Sequence, residues 1–403
     1  MTNRLVILTN VPTPYRIPFF NALNAALGRN GADLCVLFCA VIEPNRKWAV
    51  DLADQQYKWK ILPGVHPNLK TFYPHFNPTV LGEFCRLHPT WLLVAGAWNT
   101  PTMLLAHLRW FSPTAPRIQW SEGHADAVLH PTGHIARLRR QVLRSYDGFA
   151  VPNSRSADYI RAEVNSGPPI LRLPNTVDDQ LFTAKSRSSR EAVRTRYVLP
   201  QDQLVVTTVA QLEERKGIRE LIEAFCTLSA SEQQQMTLAI VGEGSLKPKL
   251  RHLVGDHLSG QIRLLGHLEQ AEVRDVLAAS DVFLLPTKQD PNPLSVIEAA
   301  FVGLPLVVTK QAGNAYDLIT DGNNGIILDA ATPTNIAAAL RVLLQCAPST
   351  LHNMGQVSKA VAQQNFQRNT VASTFADDLM TSFPPGRWSR KTGSIRFGKK
   401  EPL

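Results

Sequence analysis

Residues 281–309, DVFLLPTKQDPNPLSVIEAAFVGLPLVVT, contain the pattern that decides the fold. A short apolar run, DVFLLP, is followed by a proline-rich turn, the periodic segment LSVIEAAF, Gly303 and a second apolar run, PLVVT. Short apolar runs of this kind predict buried strands, and the segment between them has the periodicity of a helix. Two strands joined through a helix favour a parallel pair. The stretch therefore predicts one unit of an α/β sheet that is covered on both faces.

The same alternation extends over most of the chain. Apolar runs that predict strands of a first domain lie at residues 4–9, 34–40, 91–96, 117–121 and 147–152. A second series lies at residues 204–210, 236–242, 262–266, 281–286, 305–309 and 324–329. Helical periodicity is clearest at residues 17–27, 101–111, 219–225, 272–280 and 294–301. We therefore predict an α/β protein of two doubly wound, Rossmann-like domains that face a central cleft.

The boundaries of these domains are predicted from changes in composition. The first domain is expected over residues 1–178, a polar and charged linker over 179–203, and the second domain over 204–381. The last helices either cap the second domain or return to the first. Residues 382–403 form a basic tail that we predict to be disordered. Within the first domain, residues 41–75 are predicted to form loops and an edge strand.

Composition excludes several classes of protein. Hydrophobic residues make up 44% of the 403 residues and charged residues 19%, which is typical of a soluble protein with a large core. No apolar run is long enough to span a bilayer, and the N-terminus is predicted to be a buried strand rather than a signal peptide. The five cysteines are scattered, and Cys35 and Cys39 are interpreted as buried thiols. A cytoplasmic location is predicted.

The net charge of +9 leaves two interpretations. The basic residues are not interleaved with aromatic ones, and no nucleic-acid-binding motif is present, so a nucleic acid is not predicted as a partner. A basic group with helical periodicity is formed by Arg137, Arg139, Arg140 and Arg144. This group is either a solvated helix face or a surface that adsorbs to anionic lipid headgroups or anionic substrates. The second alternative places the protein at the cytoplasmic face of a membrane.

Two glycine-containing turns follow strands of the second domain. Lys216 and Gly217 stand between a strand and a helix, where backbone N–H groups and an ammonium suit a phosphate. An ordinary exposed turn is the alternative at that position. The run VGEGS at residues 241–245 lacks the full dinucleotide fingerprint, so it predicts a tight turn and no nicotinamide site.

Two carboxylates bracket the proline-rich turn that precedes the helix at 294–301. Asp290 is either a simple N-terminal cap of that helix or a ligand-binding group. Glu298 has only apolar neighbours in the helix. A carboxylate in such a setting is either an unpaired buried charge, which is unfavourable, or a group that binds hydroxyls.

Taken together, these motifs resemble the retaining family-4 (group 1) glycosyltransferases of the B-type two-domain fold. The family pattern E-G-F-P-L-x-x-x-E-A stands here as DPNPLSVIEA at residues 290–299, followed by GLPLV at 303–307. The runs PNTVD at 174–178 and VGEGSL at 241–246 also match. The resemblance covers roughly residues 4–380. It implies a glycosyltransferase that uses a nucleotide-diphosphate sugar, in surface-polysaccharide or glycolipid assembly.

The resemblance also implies a donor site in the second domain. Glu298 is expected to bind the nucleotide ribose, Asp290 to lie near the donor sugar, and Lys216 to neutralise the diphosphate. The complete set of implied donor-binding residues is Gln211, Arg215, Lys216, Gly266, Asn292, Pro293, Leu294, Ser295 and Glu298. Of these, Asn292 and Leu294 offer N–H groups, whereas the loop that begins at Gly266 is expected to shape the pocket for the base.

The chain departs from the family pattern at two of these positions. Gln211 stands where the family usually has an arginine, and Arg215 is a candidate to replace it. Asp290 is one methylene shorter than the glutamate that the family pattern has there. Both departures leave a second hypothesis open, in which the chain is a catalytically weak protein that binds sugar nucleotides or glycans. An epimerase of the same architecture is a third hypothesis.

The acceptor side and the mechanism follow from the same resemblance. Pro14 and Arg16 in the loop after the first strand, with Glu122 and His124, are expected to line the acceptor side. His124 or Glu122 is the candidate to orient the acceptor hydroxyl, although a surface-loop histidine is the alternative for His124. The implied catalytic set is Lys216, Asp290, Glu298 and His124. No metal-binding Asp-x-Asp motif is present, so we predict that no metal or other cofactor is needed.

Overall fold

Two parallel β-sheets, one in each half of the chain, organise the structure. The computed structural model describes residues 2–44, 52–69, 73–128, 130–164, 167–255 and 258–386. The first sheet contains β1 (Asn3–Thr9), β2 (Ala32–Phe38), β3 (Lys58–Ile61), β4 (Trp91–Ala95), β5 (Arg117–Trp120), β6 (Gly148–Val151) and β7 (Ile170–Arg172). The second sheet contains β8 (Leu204–Val209), β9 (Met236–Val241), β10 (Ile262–Gly266), β11 (Val282–Leu285), β12 (Leu306–Thr309) and β13 (Gly325–Leu328). All pairs between these strands are parallel, which confirms the predicted α/β class.

The strand order identifies where a ligand site is expected. The first sheet has the order β3-β2-β1-β4-β5-β6-β7 and the second has the order β10-β9-β8-β11-β12-β13. In each half the first strand lies in the interior of the sheet. The next two strands are added on one side of it, and the remaining strands are added on the other side. Open α/β sheets bind ligands beyond the carboxyl ends of their strands, at the point where the order reverses. These points lie between β1 and β4 and between β8 and β11.

Helices cover both faces of both sheets. Those of the first half are α1 (Arg16–Arg29), α2 (Val80–Leu87), α3 (Pro101–Leu105), α4 (Gly133–Leu143) and α5 (Ser154–Val164). They are followed by α6 (Asp179–Thr183), α7 (Arg190–Arg196), α8 (Ile218–Cys226), α9 (Ala230–Gln234), α10 (Lys247–Val254) and α11 (Gln270–Ala278). The remaining helices are α12 (Leu294–Val302), α13 (Ala315–Leu318), α14 (Pro333–Gln345), α15 (Pro348–Asn365) and α16 (Arg368–Ser382).

Alternation along the central strand β1 divides the core of the first domain into two layers. Leu5 and Ile7 face a cluster that includes side chains of α1 and α16, whereas Val6 and Leu8 face a cluster formed with α2 to α5. Successive side chains of a strand point to opposite faces of the sheet, so a run without polar residues requires cover on both sides. The apolar strand signals in the sequence have this physical origin.

The last helix of the described chain packs on the first domain. Phe375 and Leu379 of α16 are fully buried in the cluster that contains Leu5 and Ile7. The indole Nε1 of Trp91 in β4 donates to the carbonyl oxygen of Phe383, at 2.8 Å. The C-terminal helix is thus held by hydrogen bonding as well as by apolar burial. Most of the predicted tail, residues 387–403, lies outside the described residues.

The structure differs from the sequence-based expectations in two elements. Residues 101–111 form α3 and a separate 3-10 turn, Arg109–Phe111, instead of one helix. Between them Leu108 has a non-helical backbone, and the guanidinium of Arg109 pairs with the carboxylate of Asp147 at 2.7 Å. The short edge strand β7 was not predicted, since three residues carry too little periodicity to be recognised.

The residues predicted to form the linker contain two helices, and the second of these is fixed to the second domain. Arg194 of α7 is almost completely buried. Its guanidinium donates to the carbonyl oxygen of Ala279 at 3.0 Å and pairs with Asp281 at 2.8 Å. This stretch is therefore an ordered part of the molecule, attached next to the start of β11.

Cys35 and Cys39 are buried, as predicted, and burial raises the pKa of the Cys39 thiol to about 12. Among the described residues, no helix is both long enough and apolar enough to cross a bilayer.

Candidate active site between the two domains

The loop after β8 is pressed against the loop after β11. Gly217 ends the 3-10 turn Glu214–Lys216 with a φ of 70°, and a Cβ there would lie 1.9 Å from the carbonyl oxygen of Pro286. The carbonyl oxygen of Arg215 accepts from the backbone N–H of Lys288 at 2.8 Å and from the Thr287 hydroxyl at 2.9 Å. Only glycine fits such a close approach at a positive φ. The two loops thus form one unit at the predicted switch point.

This contact brings together two of the residues implied by the sequence. Lys216 and Asp290, which are 74 positions apart, form an ion pair between Nζ and Oδ2. Both residues are buried. Removing one partner of a buried pair leaves an uncompensated charge, so each residue stabilises the charge of the other. The ammonium of Lys216 is already balanced by a carboxylate in the ligand-free chain.

Asp290 organises a turn and does not cap the helix. Helix α12 begins at Leu294 with Pro293 at its N-cap position. The second carboxylate oxygen of Asp290, Oδ1, accepts from the backbone N–H of Asn292 at 3.2 Å. The simple capping role considered for Asp290 is therefore wrong, because the acceptor is used two residues before the helix starts. In the ligand-free chain the N–H group of Asn292 is thus engaged by Asp290.

Glu298 lies in the second turn of α12 and is half-buried. Its carboxylate forms no hydrogen bond or ion pair with the residues that the structure describes. Burial without a partner raises the pKa of Glu298 to about 7. An unpaired carboxylate in such a place is unfavourable until a ligand supplies hydrogen-bond donors. The Glu298 carboxylate is therefore a candidate ligand-binding group.

The side chain of Asn292 adds two polar atoms to the site, whereas the sequence analysis considered only its backbone N–H group. Both the Oδ1 and the Nδ2 atoms of its side chain are buried and lack a hydrogen-bond partner within the described part of the chain. Buried amides are normally satisfied, so this group is a candidate ligand contact. Leu294 and Ser295, which are half-buried, occupy the first turn of α12, where backbone N–H groups have no partner within the helix.

Gln211 and Arg215 are adjacent in space. The Arg215 guanidinium donates to Gln211 Oε1 at 3.0 Å and to Glu213 Oε2 at 2.8 Å. The positive charge of Arg215 is thus held beside the position where the family pattern has an arginine. Gly266 lies farther along the same edge, where its carbonyl oxygen accepts from the N–H of Gly242 at 2.7 Å.

The first domain contributes a cavity of about 790 Å³ at its own switch point. Its wall includes Arg16 after β1 and Glu122 after β5, which form an ion pair at 3.0 Å. The Arg16 guanidinium carbon also lies 4.5 Å from the ring centroid of Trp120, and Asn175 donates to Glu122 at 3.2 Å. Pro14 is exposed in the same loop but is not part of the cavity wall.

His124 lies where the two domains meet and not on the surface. It is fully buried, so the alternative of a surface-loop histidine is wrong. Burial lowers the pKa of His124, Arg155 lowers it further, and Asp126 and Asp290 oppose both effects. Neither ring nitrogen forms a hydrogen bond of normal geometry with a described residue. A neutral imidazole is thus placed beside Asp290 of the other domain.

The segment after β6 joins the first domain to the loop that contains Asp290. Asn153 donates through Nδ2 to the carbonyl oxygen of Pro291 at 3.0 Å. The hydroxyl of Ser154 donates to Asp317 at 2.9 Å, and Arg155 donates to the carbonyl oxygen of Lys310. The sequence analysis missed these residues. A polar VPNS run directly after a buried strand was the available signal, since such positions lie at the carboxyl edge of a sheet.

Among the described residues, no group of three or more His, Cys, Asp or Glu side chains is arranged to hold a metal ion.

Two Rossmann-like domains, each with an open parallel sheet and a switch point, have the architecture of the two-domain B-type glycosyltransferase fold. Residues 189–361 match the family described as glycosyl transferases group 1. The match lies mainly in the second domain, and the resemblance inferred from the sequence is confirmed.

Individual relatives are consistent with this assignment. The chain is 23% identical over 317 residues to the 2-deoxystreptamine glucosyltransferase of Streptomyces kanamyceticus, covering 77% of this chain and 72% of that protein. It is 28% identical over 191 residues to a GDP-mannose-dependent monoacylated α-(1-6)-phosphatidylinositol monomannoside mannosyltransferase of Corynebacterium glutamicum. That alignment covers 46% of this chain and 49% of the relative, so the chain spans about half the length of that protein.

Solved structures share the fold over almost the whole chain. The structure of Anabaena HepE in complex with UDP superposes with a TM-score of 0.70, covering 94% of this chain and 100% of that one at 17% identity. The structure of WaaG, a glycosyltransferase involved in lipopolysaccharide biosynthesis, gives a TM-score of 0.65 at 15% identity, covering 93% of this chain and 98% of that one. At these identities the likeness establishes the two-domain fold.

Proposed function

We propose that the chain is a retaining glycosyltransferase that moves a sugar from a nucleotide-diphosphate sugar to a hydroxyl of a glycan or glycolipid acceptor. The observation that carries this proposal is the half-buried, unpartnered carboxylate of Glu298 beside the switch point of the second sheet. Two adjacent ribose hydroxyls would supply the donors that this carboxylate lacks. The position of Glu298 in the family motif supports the same assignment.

The diphosphate is proposed to bind at Lys216. In the ligand-free chain Asp290 balances its ammonium, and a diphosphate carries enough negative charge to compete for that partner. Arg215 supplies a second positive charge beside Gln211. This contact supports the replacement of the missing arginine of the family pattern by Arg215. The first turn of α12 adds N–H groups and the positive end of the helix dipole.

The reaction is proposed to be a front-face substitution. The bond between the anomeric carbon and the diphosphate oxygen breaks, and the acceptor oxygen forms its bond to the same face of the sugar. The acceptor proton passes to an oxygen of the departing phosphate, so no protein nucleophile is required. Catalysis then rests on positioning and on the stabilisation of leaving-group charge by Lys216 and α12.

The buried imidazole of His124 is proposed to act as a neutral hydrogen-bonding group. Its lowered pKa keeps the ring uncharged near neutral pH, and its position beside Asp290 faces the cleft. From there it can orient the donor sugar or the acceptor hydroxyl. Arg16 and Glu122 are proposed to hold the acceptor in the cavity of the first domain.

We expect the reaction to need no metal ion, because Lys216, Arg215 and the N-terminus of α12 provide positive charge at the leaving group. Transfer should continue at an unchanged rate in the presence of EDTA. A loss of activity that Mg²⁺ or Mn²⁺ restores would contradict this part of the proposal.

A second candidate function is favoured by the charge balance of the site. Because Asp290 already pairs with Lys216 and because Gln211 is uncharged, the chain could bind sugar nucleotides or glycans with little turnover. Donor binding without transfer or hydrolysis across a broad acceptor panel would support this alternative. The relatives are named as glycosyltransferases, which favours the first candidate. Our proposal includes a role in polysaccharide or glycoconjugate biosynthesis at the cytoplasmic face of a membrane.

Thermal unfolding in the presence of UDP, GDP, ADP and their sugars tests the proposal first, since a ligand that binds the folded chain raises its apparent stability. The best donor is then incubated with a panel of glycan and glycolipid acceptors, and the anomeric configuration of the product is read by NMR. No stabilisation by any of these nucleotides would overturn the proposal. An inverted product would overturn the retaining mechanism alone.

A further inference from the structure

One peptide group, between Pro291 and Asn292, connects the first domain to the ion pair of the second. Its carbonyl oxygen accepts from Asn153 Nδ2 of the first domain at 3.0 Å. Its N–H group donates to Asp290 Oδ1 at 3.2 Å. The other carboxylate oxygen of Asp290, Oδ2, pairs with Lys216. A chain of contacts therefore runs from the first domain through a single peptide group to the buried ion pair.

A peptide group transmits such a contact because it is planar and stiff. If the Pro291 carbonyl turns towards or away from Asn153, the Asn292 N–H turns with it. The backbone on either side has little freedom, because Pro291 has a fixed φ and because Asn292 precedes Pro293. The hydrogen bond that Asp290 Oδ1 receives thus depends on where the first domain holds the Pro291 carbonyl oxygen.

The amide of Asn153 is held in the orientation that this contact needs. Its Oδ1 atom accepts from the backbone N–H of Ser156 at 2.9 Å, which is the geometry of an N-cap on α5. Because that N–H can only donate, the amide oxygen must face Ser156 and the amide nitrogen must face Pro291. Asn153 is 2% exposed, so water has little access to either atom.

The other side of the Pro291 carbonyl is closed by Gly313. A Cβ at Gly313 would lie 1.8 Å from that oxygen and 2.9 Å from Asn153 Nδ2. The backbone N–H of Gly313 donates to the carbonyl oxygen of Asp290 at 2.9 Å. A glycine at this position therefore lets three segments meet without a clash, and one of them belongs to the first domain.

A second asparagine binds the same loop from within the second domain. Asn314 Nδ2 donates to the carbonyl oxygen of Pro293 at 2.9 Å. Of these two bound carbonyl groups, only the one at Pro291 depends on the first domain. A neighbouring cross-domain hydrogen bond, from the Ser154 hydroxyl to Asp317, does not involve the peptide group at Pro291. The two kinds of cross-domain contact can therefore be removed separately.

We propose that Asn153 is a positioning residue that couples contact between the domains to the orientation of the Asp290 carboxylate. With the first domain in place, Asn153 orients the Pro291–Asn292 peptide group, and this group orients Asp290 Oδ1. When the domains move apart, the peptide group loses this donor, while Asp290 keeps its pair with Lys216. The consequence for catalysis rests on the proposed function: Asp290 is aligned beside the donor sugar only when the first domain, with its acceptor, has closed.

Selective isotope labelling reads this peptide group directly. The chain contains five Pro–Asn pairs, so protein made with ¹³C-carbonyl proline and ¹⁵N-asparagine has five peptide groups that carry both labels. The NMR signal of Pro291–Asn292 is assigned by its loss in Asn292→Gln. Asn153→Ser keeps a side-chain oxygen that can cap α5 but removes the amide nitrogen. We expect this variant to shift the Pro291–Asn292 signal by more than its linewidth and to speed the hydrogen exchange of the Asn292 N–H.

A second variant and a matched control accompany this measurement. Gly313→Ala presses a methyl group against the same carbonyl oxygen, so it should move the same signal although Asn153 is unchanged. Ser154→Ala removes the neighbouring cross-domain hydrogen bond and should leave the Pro291–Asn292 signal within its linewidth. Thermal unfolding of each variant shows that the fold is retained.

Kinetics with the best donor then separate positioning from binding. Asn153→Ser should lower kcat by at least about tenfold, because the carboxylate beside the reacting sugar is misplaced. Affinity for the nucleotide alone, from thermal shifts with UDP, GDP and ADP, should stay within about threefold, because Glu298 and the first turn of α12 are unchanged. Ser154→Ala should retain both values within about twofold.

Three results would overturn the inference. The Pro291–Asn292 signal could stay in place in Asn153→Ser, kcat of that variant could equal that of Ser154→Ala, or its nucleotide affinity could fall as far as its kcat, which would show a general structural role. Failure of the wild-type chain to bind any of the three nucleotides would refute the proposed function instead. The NMR signal would in that case still decide whether Asn153 controls the peptide group that faces Asp290.

Discussion

The two switch points of this molecule are built in opposite ways. On the second domain, loops are in backbone contact at Gly217, and the charges of Lys216, Asp290 and Arg215 are all engaged. On the first domain, a cavity of about 790 Å³ is open. Its wall holds several buried polar atoms without a hydrogen-bond partner in the described residues, namely Asn10 Oδ1, Thr13 Oγ1, Gln119 Oε1 and Trp120 Nε1.

This difference matches the proposed division of labour. The ribose and the diphosphate are the same chemical groups in every such donor, so a compact, preorganised site suits them. Acceptors differ in size and shape. An open cavity can admit different acceptors, and the polar atoms of its wall that lack hydrogen-bond partners can bind them. Substitutions on the donor side should therefore have larger effects than those on the acceptor side.

The largest effect is expected for Glu298→Ala. Loss of the carboxylate leaves the hydroxyls of a bound nucleotide without a buried acceptor, so transfer should fall by at least about a thousandfold. Steady-state rates with the best donor provide the measurement. Glu223→Ala, on α8, is the control and should retain activity. Unchanged turnover of the Glu298 variant would refute its assignment to the donor site.

The Lys216–Asp290 pair should dominate stability near the site. Lys216→Met leaves Asp290 buried without its cation and should lower the free energy of unfolding by about 3 kcal/mol. Lys216→Met/Asp290→Asn removes both charges and keeps the acceptor for the Asn292 N–H, so it should recover most of this loss. Urea unfolding of both single variants and the double variant measures the coupling. A coupling near zero would show that the two charges do not interact.

Stability should depend on pH through Glu298. Burial raises its pKa to about 7 from the usual 4.5, so between these values the folded chain keeps a proton that the unfolded chain has released. The free energy of unfolding therefore falls as the pH rises through this window, and the penalty stays in place above it. Glu298→Gln removes the penalty. It should stabilise the ligand-free chain by about 2 kcal/mol at about pH 8 and by much less at about pH 5.

Urea unfolding at both pH values checks this prediction, and Glu223→Gln is the matched control. A stabilisation that is equal at the two pH values would mean that the Glu298 carboxylate is not shifted by burial.

The smallest effect is expected on the acceptor side. Arg16→Lys keeps the charge but loses the planar contact with Trp120 and part of the hydrogen bonding to Glu122. The KM for the acceptor should rise about tenfold, while nucleotide binding measured by thermal shift should stay within about twofold. A comparable loss of nucleotide affinity would show that the two regions are not independent.

Local pattern was sufficient to predict most strands and to single out the motif at residues 290–299, which we propose as part of the donor site. Buried parallel strands appear as continuous apolar runs, because both faces of the sheet are covered, and residues 281–309 show this with little ambiguity. Asp290 and Glu298 were recognisable because a carboxylate near the start of an apolar helix is unfavourable unless it has a binding partner. Short or irregular elements such as β7 and the 3-10 turn at Arg109–Phe111 were not predicted, since their conformation depends on contacts with distant residues.

The sequence by itself determined the class of fold, the order along the chain of most strands and helices, and the identity of the charged residues at one switch point. These depend on periodicity and on residue type, which are local properties. Only the tertiary structure decided that Lys216 meets Asp290 across 74 positions, that Arg16 meets Glu122 across 106, and that His124 is buried beside the other domain. Such pairings arise when two sheets and their loops close on one another, and no local pattern encodes the distance between residues that are far apart in the chain.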